Sequence, residues 1–351
     1  NRARKLLSDH QKKSSNFALP YWDYTDLESP QKSVLPTAFY SPKDSTNSLY
    51  VKERSFTVQT IGMKPEALEI ASAFVKVDML GSNGFSKVLE EGVHGNVHDE
   101  VGNPNKDSTV MGRVPSAAQD PIFWLHHANI DRLWSCWNKN GNKNTPFPDN
   151  GKKYAFIQPD GSVKEYSVKD MQTLVDNMDY RYESYRDCSS PTLSESTLLT
   201  SNPIKLNFKK SLKVNNKKVE IPIQASSLKT NVISSTNLNL NGGKLTLSDI
   251  TSHANMKGLY EVYLKSNVSN KEVFVNYISF FGFHNSSDHH SISFNRNLDA
   301  SKALKALIED GNDINNLTVV IKPDSRLTNE NIEKLNQEFE IGSIDLIINT
   351  K

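Results

Sequence analysis

Four of the chain's nine histidines fall in two short segments. His94 and His98 are four residues apart, so on a helix both imidazoles project from one face within reach of one metal ion. Alone, this spacing is weak, because a chance pair on a surface helix gives the same pattern. The zinc-protease form needs Glu directly after the first His. Gly95 stands there, so a peptidase would lack its general base. The second segment, Asp120-Pro-Ile-Phe-Trp-Leu-His126-His127-Ala-Asn-Ile-Asp131-Arg-Leu-Trp134, adds a third imidazole. Phe123, Leu125 and Trp134 predict a buried helix, and a buried imidazole without a partner is costly. His126 and His127 read as satisfied core residues or as part of a metal site, and the pair upstream favours the site. Asp131, one turn after His127, is expected to steer that helix face through a hydrogen bond. Three neutral imidazoles without carboxylate or thiolate suit copper or zinc, and spacing does not choose between them.

These residues need elements to hold them. The spacing predicts a helix over 121–137, with Asp120 as cap, Pro121 at its first position, and Phe123, His127, Asp131 and Trp134 on one face. Pro65 to Met79 carries Ile70, Phe74 and Val75 at helical spacing, and Arg2 to Leu7 reads as the tail of another helix. Gln158-Pro-Asp-Gly161 predicts a hairpin turn, and the Ser/Thr/Leu-rich stretch 188–203 predicts a linker. From Ile204 the character changes. Val219–Ile223, Leu259–Leu264, Val273–Phe281, Ser291–Phe294, Leu317–Ile321 and Ile344–Ile348 read as strands. One short helix, Ala300 to Asp310, sits between Asp299 and Gly311. The expected architecture is a mainly α core over 1–187, a linker at 188–203, and a β-rich, sandwich- or barrel-like domain over 204–351.

The bulk properties exclude other classes. With 41 basic against 40 acidic residues, the chain is not built for nucleic acid or an anionic membrane surface. No uninterrupted apolar stretch reaches the roughly 20 residues that span a bilayer, which predicts a soluble chain. Cys136 and Cys188 make no disulfide framework; they pair with each other or remain free structural thiols, and the compartment is not legible. The opening Asn-Arg-Ala-Arg-Lys-Leu-Leu has no initiator Met and no signal-peptide pattern, and predicts a truncated N-terminus.

The segment from His94 to Trp134 resembles the second copper site, CuB, of the type-3 copper proteins: tyrosinases, catechol oxidases and hemocyanins. They carry His-x-x-x-His and then Asp-Pro-x-Phe-(Phe/Trp)-x-His-His-x-x-x-Asp-Arg-x-Trp. The resemblance implies His94, His98 and His127 as the copper ligands, with His126 a neighbour, on an incomplete four-helix-bundle core. Phe17-Ala-Leu-Pro-Tyr-Trp-Asp23 resembles the segment after the first copper site, CuA. Tyr180-Arg-Tyr182 resembles the Tyr-x-Tyr element closing plant-type polyphenol oxidase cores, and residues from about 204 resemble their C-terminal shielding domain. In the family all three CuA histidines precede the Ala-Leu-Pro-Tyr-Trp segment. Here only His10 does, in a polar stretch, so the CuA ligands are expected upstream of residue 1.

The implied function is copper-dependent oxidation of o-diphenols to o-quinones with O2. The intact protein would hold two copper ions and this chain one site, inactive by itself. Glu90 matches a glutamate that holds an ordered water near CuB, making it a base or the holder of one; the plain alternative is an exposed helix residue beside Glu91. Gly95 stands where many monophenol-hydroxylating tyrosinases have Asn, which implies that diphenol oxidation predominates. Val114 aligns with a gating Phe, implying an open pocket mouth, or else packs in the core; Phe123 borders the same pocket. The implied partners are a small phenol, O2 and an activating protease at the linker. A hemocyanin-like O2 carrier and a mononuclear structural metal site are the competing readings. His284, His289 and His290 read as a solvated loop.

Overall fold

The structure is a computed structural model. It describes residues 18–26, 28–81, 84–103, 105, 110–146, 150–158, 160–176, 180–185, 204–223, 238–252, 256, 258–282, 292–334 and 337–350. The predicted helix tail at Arg2–Leu7, His10, the linker 188–203, Cys188 and the histidines at 284, 289 and 290 lie outside them.

The first half is helical. Short helices α1 (Phe56–Thr60), α2 (Ala71–Phe74) and α3 (Phe85–Leu89) lead into a turn, Glu90–His94, kinked at Gly92, and then α4 (Gly95–Val101). The long helix α5 spans Ile122–Lys139. Asp120 starts it as expected, its Oδ1 accepting from the Ile122 amide at 3.0 Å. The single helix expected over Pro65–Met79 is instead a 3-10 turn, Pro65–Leu68, followed by α2. The Glu69 carboxylate accepts from the Ala71 and Ser72 amides and starts a new turn there, which breaks the periodicity. The predicted hairpin forms β1 (Lys153–Ile157) and β2 (Val163–Ser167), with Gly161 at φ +89° in its turn, and α6 (Val168–Asp176) follows. Cys136, fully buried on α5, is disulfide-bonded.

The second half is two four-stranded antiparallel sheets. One has the order β3 (Ile204–Val214), β10 (Phe339–Thr350), β5 (Leu238–Ser252), β8 (Ile292–Asp299). The other runs β4 (Val219–Pro222), β9 (Leu317–Pro323), β6 (Leu259–Ser266), β7 (Glu272–Ser279). Leu247, Val262, Phe280, Phe294 and Ile344 share one core, as alternation on facing sheets requires. Helix α7 (Ser301–Glu309) packs on β5, where a Cβ on Gly243 would lie 2.2 Å from Leu304 Cδ1. Strand β5 escaped the sequence reading because Asn239, Asn241, Gly242 and Gly243 break its apolar pattern.

The halves meet through buried polar groups. Asn96 Nδ2 on α4 donates to Asn276 Oδ1 on β7 at 3.2 Å, and Asn276 Nδ2 donates to the Glu66 carbonyl at 2.9 Å. Arg326, beyond β9, donates to the carboxylates of Asp324 and Glu100 and to the Glu100 and Asp99 carbonyls at the end of α4. Carbonyls left open at a helix end are thereby satisfied. Among the described residues no helix is long and apolar enough to cross a membrane.

Candidate metal centre

One cluster of side chains able to hold a metal ion occurs among the described residues. It comprises His94, His98, His126 and His127, each offering one ring nitrogen, with these atoms all within 4.8 Å of one another. The sequence anticipated three of them as ligands and set His126 aside as a neighbour; the fold brings all four together. His94 closes the kinked turn and His98 lies one turn into α4, while the other two are adjacent on α5. Gly92, at φ −95° and ψ −117°, makes the kink that separates α3 from the helix carrying the pair.

The ring nitrogens divide by what they touch. His98 Nδ1 is 2.9 Å from the Met111 carbonyl, which can only accept. Nδ1 therefore carries the hydrogen, and Nε2, buried without a protein partner, presents a lone pair to the cluster. His127 Nε2 is likewise buried and unpartnered. His126 Nε2 is too, but its Nδ1 is 2.8 Å from the Tyr24 hydroxyl. His94 Nδ1 approaches Glu90 Oε2 to 3.1 Å, off the hydrogen-bond direction. Burial, reinforced by the neighbouring imidazoles, holds His98 and His126 well below the ordinary histidine range. His127 is pushed down to about 4, by burial and then by His94. Imidazoles gathered with buried, unpartnered ring nitrogens and no carboxylate or thiolate in the cluster fit a soft or borderline transition-metal ion, copper or zinc.

Two aromatic rings line the cluster. Phe123 on α5 lies 4.0 Å from the His127 ring, centroid to centroid. Phe281, two residues beyond β7, stacks flat on His98 at 3.8 Å and 7°. Phe281's place against His98 was not legible beforehand, since the pairing joins residues 183 positions apart in different halves (281 − 98). The Glu90 side chain is about half exposed (55%) at the edge of the site. Burial pushes its carboxyl up, but the His94 contact and charge outweigh that and leave it below the ordinary range. Gly95 is buried beside β7. Val114 is 47% exposed, so it is not a core residue. Asp131 is not directed at His127: its Oδ2 accepts from the hydroxyls of Tyr180 at 2.8 Å and of Tyr182.

Around the cluster, α5 is tied to the Tyr-Trp-Asp segment. Arg132 Nη2 donates to Asp23 Oδ1 at 2.9 Å and to Thr25 Oγ1 at 3.1 Å. Arg54 grips Asp120 through two bonds, Nε to Oδ2 at 2.9 Å and Nη2 to Oδ1 at 2.6 Å, with both side chains buried.

Residues 70–140, which hold the whole cluster, match the family model for the common central domain of tyrosinase. The chain is 29% identical over 184 residues to tyrosinase HcTyr1 of Hahella sp. (strain CCB-MM4), covering 45% of this chain and 38% of that protein. It is 27% identical over 210 residues to the latent, chloroplastic polyphenol oxidase of Prunus armeniaca, covering 51% of this chain and 34% of that protein. These alignments thus span little more than a third of each relative's length. A solved structure of latent aurone synthase, a polyphenol oxidase from natural source, superposes with a TM-score of 0.52 at 17% identity. That match covers 99% of this chain and 74% of the other, a likeness of fold.

Proposed function

Because the chain belongs to the tyrosinase/catechol oxidase family, we propose that His94, His98 and His127 hold one copper ion of a centre that oxidises o-diphenols to o-quinones with O2. The observation that carries this reading is the convergence of imidazoles whose ring nitrogens are buried without a partner. Copper held there supplies the O2 binding and electron acceptance that zinc does not. His126 is the neighbour rather than a ligand. The Tyr24 hydroxyl lies 2.8 Å from His126 Nδ1; where the hydroxyl donates, His126 Nε2 carries the hydrogen and offers a metal no lone pair. Glu90, ionised at neutral pH, accepts the phenol's proton directly or through a held water. Phe123 forms an apolar wall beside His127. Gly95 has no side-chain carbonyl to orient a second water, so diphenol oxidation predominates over phenol hydroxylation.

The β-rich half acts as a shield. Phe281 covers the His98 face on which a phenol ring would lie, and the centre opens to substrate when that half moves or is cut away at 188–203. The described residues supply ligands for one ion, and by this reading the chain alone oxidises no phenol. One cluster among the described residues also suits a mononuclear structural site. Metal analysis decides between them. The oxidase reading expects one copper per chain, lost in His98→Ala, and quinone formation from catechol once the partner copper site is supplied. Failure to bind copper, or a bound zinc that copper does not displace, would reject it.

A further inference from the structure

We infer that Gly95 is the seat on which the β-rich half closes: the missing side chain at position 95 lets the end of β7 lie against α4 and delivers Phe281 onto His98. The inference rests on reading the β-rich half as a shield, and adds what sets the fit.

Glycine is not there for its backbone. Gly95 has φ −63° and ψ −39°, ordinary helical values that any residue adopts, and glycine weakens a helix relative to alanine. The reason is space. A Cβ at position 95 would lie 2.9 Å from Ser279 Oγ, 3.3 Å from the Glu90 carbonyl and 3.5 Å from Ser279 Cβ. Ser279 is fully buried and fixed from three sides. Its hydroxyl donates to Asp99 Oδ2 at 2.7 Å and accepts from the Phe281 amide at 3.2 Å. Its carbonyl accepts from Arg296 Nη2 at 2.8 Å. Rotating Oγ away from a new Cβ would break both hydroxyl bonds, so the strand end must lift instead. Asp99 lies one turn after Gly95, so α4 supplies the gap and the anchor on one face. Phe281 is two residues further on, and any lift at Ser279 pulls it off His98. A side chain that gave position 95 a water-orienting amide would therefore also unseat the shield.

Hydrogen exchange of the whole chain tests this, read over β7, residues 280–282 and α4, with β5 and β10 as the control for folding. Gly95→Ala should speed exchange in the test segments by about tenfold and Gly95→Asn by more, leaving the control strands unchanged. Ser279→Ala removes the 2.9 Å clash with Oγ and leaves the new methyl 3.5 Å from the residue 279 Cβ, with a close 3.3 Å approach to the Glu90 carbonyl within the same segment, so on that background Gly95→Ala should add less than about twofold over β7. Wild-type exchange over β7 in Gly95→Asn would overturn the proposal, as would equal effects of Gly95→Ala on both backgrounds. The readout needs no metal. A chain that never takes up copper still reports on the seat, and a copper-loaded chain with unchanged exchange rejects the seat while leaving the oxidase reading intact.

Discussion

The two helices that carry the histidines are held in different ways. Helix α5 is fixed from within the helical half, by Arg54 on Asp120, Arg132 on Asp23 and Thr25, and Tyr24 on His126. Helix α4 leans on the β-rich half, through Asn96 on Asn276, Asp99 on Ser279, and Arg326 on the carbonyls of Asp99 and Glu100. The difference teaches that one half of the histidine cluster belongs to the helical core and the other half is braced by the β-rich half. Displacing the β-rich half should loosen His94 and His98 while leaving His127 in position.

The most damaging way to break this comparison is at α5's own anchor. Arg54→Ala leaves the Asp120 carboxylate buried and unpaired, which costs about 3–5 kcal/mol. Denaturant unfolding measures it. A loss below about 1 kcal/mol would mean that α5 is not held from within.

Next comes metal affinity. A structural metal site contributes roughly 10–16 kcal/mol over four ligands, so removing one ligand costs on the order of a hundredfold or more in affinity. His94→Ala, His98→Ala and His127→Ala should each reach that, and His126→Ala should stay within about tenfold, as for a residue outside the ligand set. Copper titration with a competing chelator reads all four. A hundredfold loss in His126→Ala would place it among the ligands and remove His127's priority.

What was legible beforehand follows the range of the interactions. Asp120-Pro121, the His-x-x-x-His spacing and the His-His pair are local patterns, and α5 and the alternating strands follow from them within a few residues. Tyr24 on His126, Arg54 on Asp120 and Phe281 on His98 join residues 102, 66 and 183 positions apart (281 − 98 for the last), and no local period encodes such pairs. Asp131 shows the limit. Its place one turn after His127 suggested a partner on its own helix, whereas its hydroxyl donors come from Tyr180 and Tyr182, an element the sequence had marked without showing where it docks. Gly95 carried a signal that could have been used: a glycine inside a predicted metal helix is a local cost that calls for a close neighbour.

The smallest effect sharpens the comparison at the edge of the β-rich half. Glu261 on β6 is buried and reaches across to Lys64 in the helical half at 3.1 Å. Burial pushes its carboxyl up, but the Ser325 hydroxyl, the Lys64 charge and the Tyr263 hydroxyl outweigh burial and leave it below the ordinary range. A depressed carboxyl stabilises the folded state above its unfolded value of about 4.5, and the gain vanishes as pH falls through the folded value. Glu261→Gln should therefore cost about 1 kcal/mol at neutral pH, discounted because the Lys64 side chain is 37% exposed. The loss stays small for a second reason: Lys64 Nζ also lies 4.0 Å from the Phe274 ring centroid, so the ammonium keeps a partner. As pH falls through the folded value the variant and the parent should converge, because the parent then loses the same charge. Unfolding free energies measured from neutral pH down through the parent's own carboxyl titration check this, and a gap that does not narrow would show that Glu261 braces the β-rich half by packing rather than by charge.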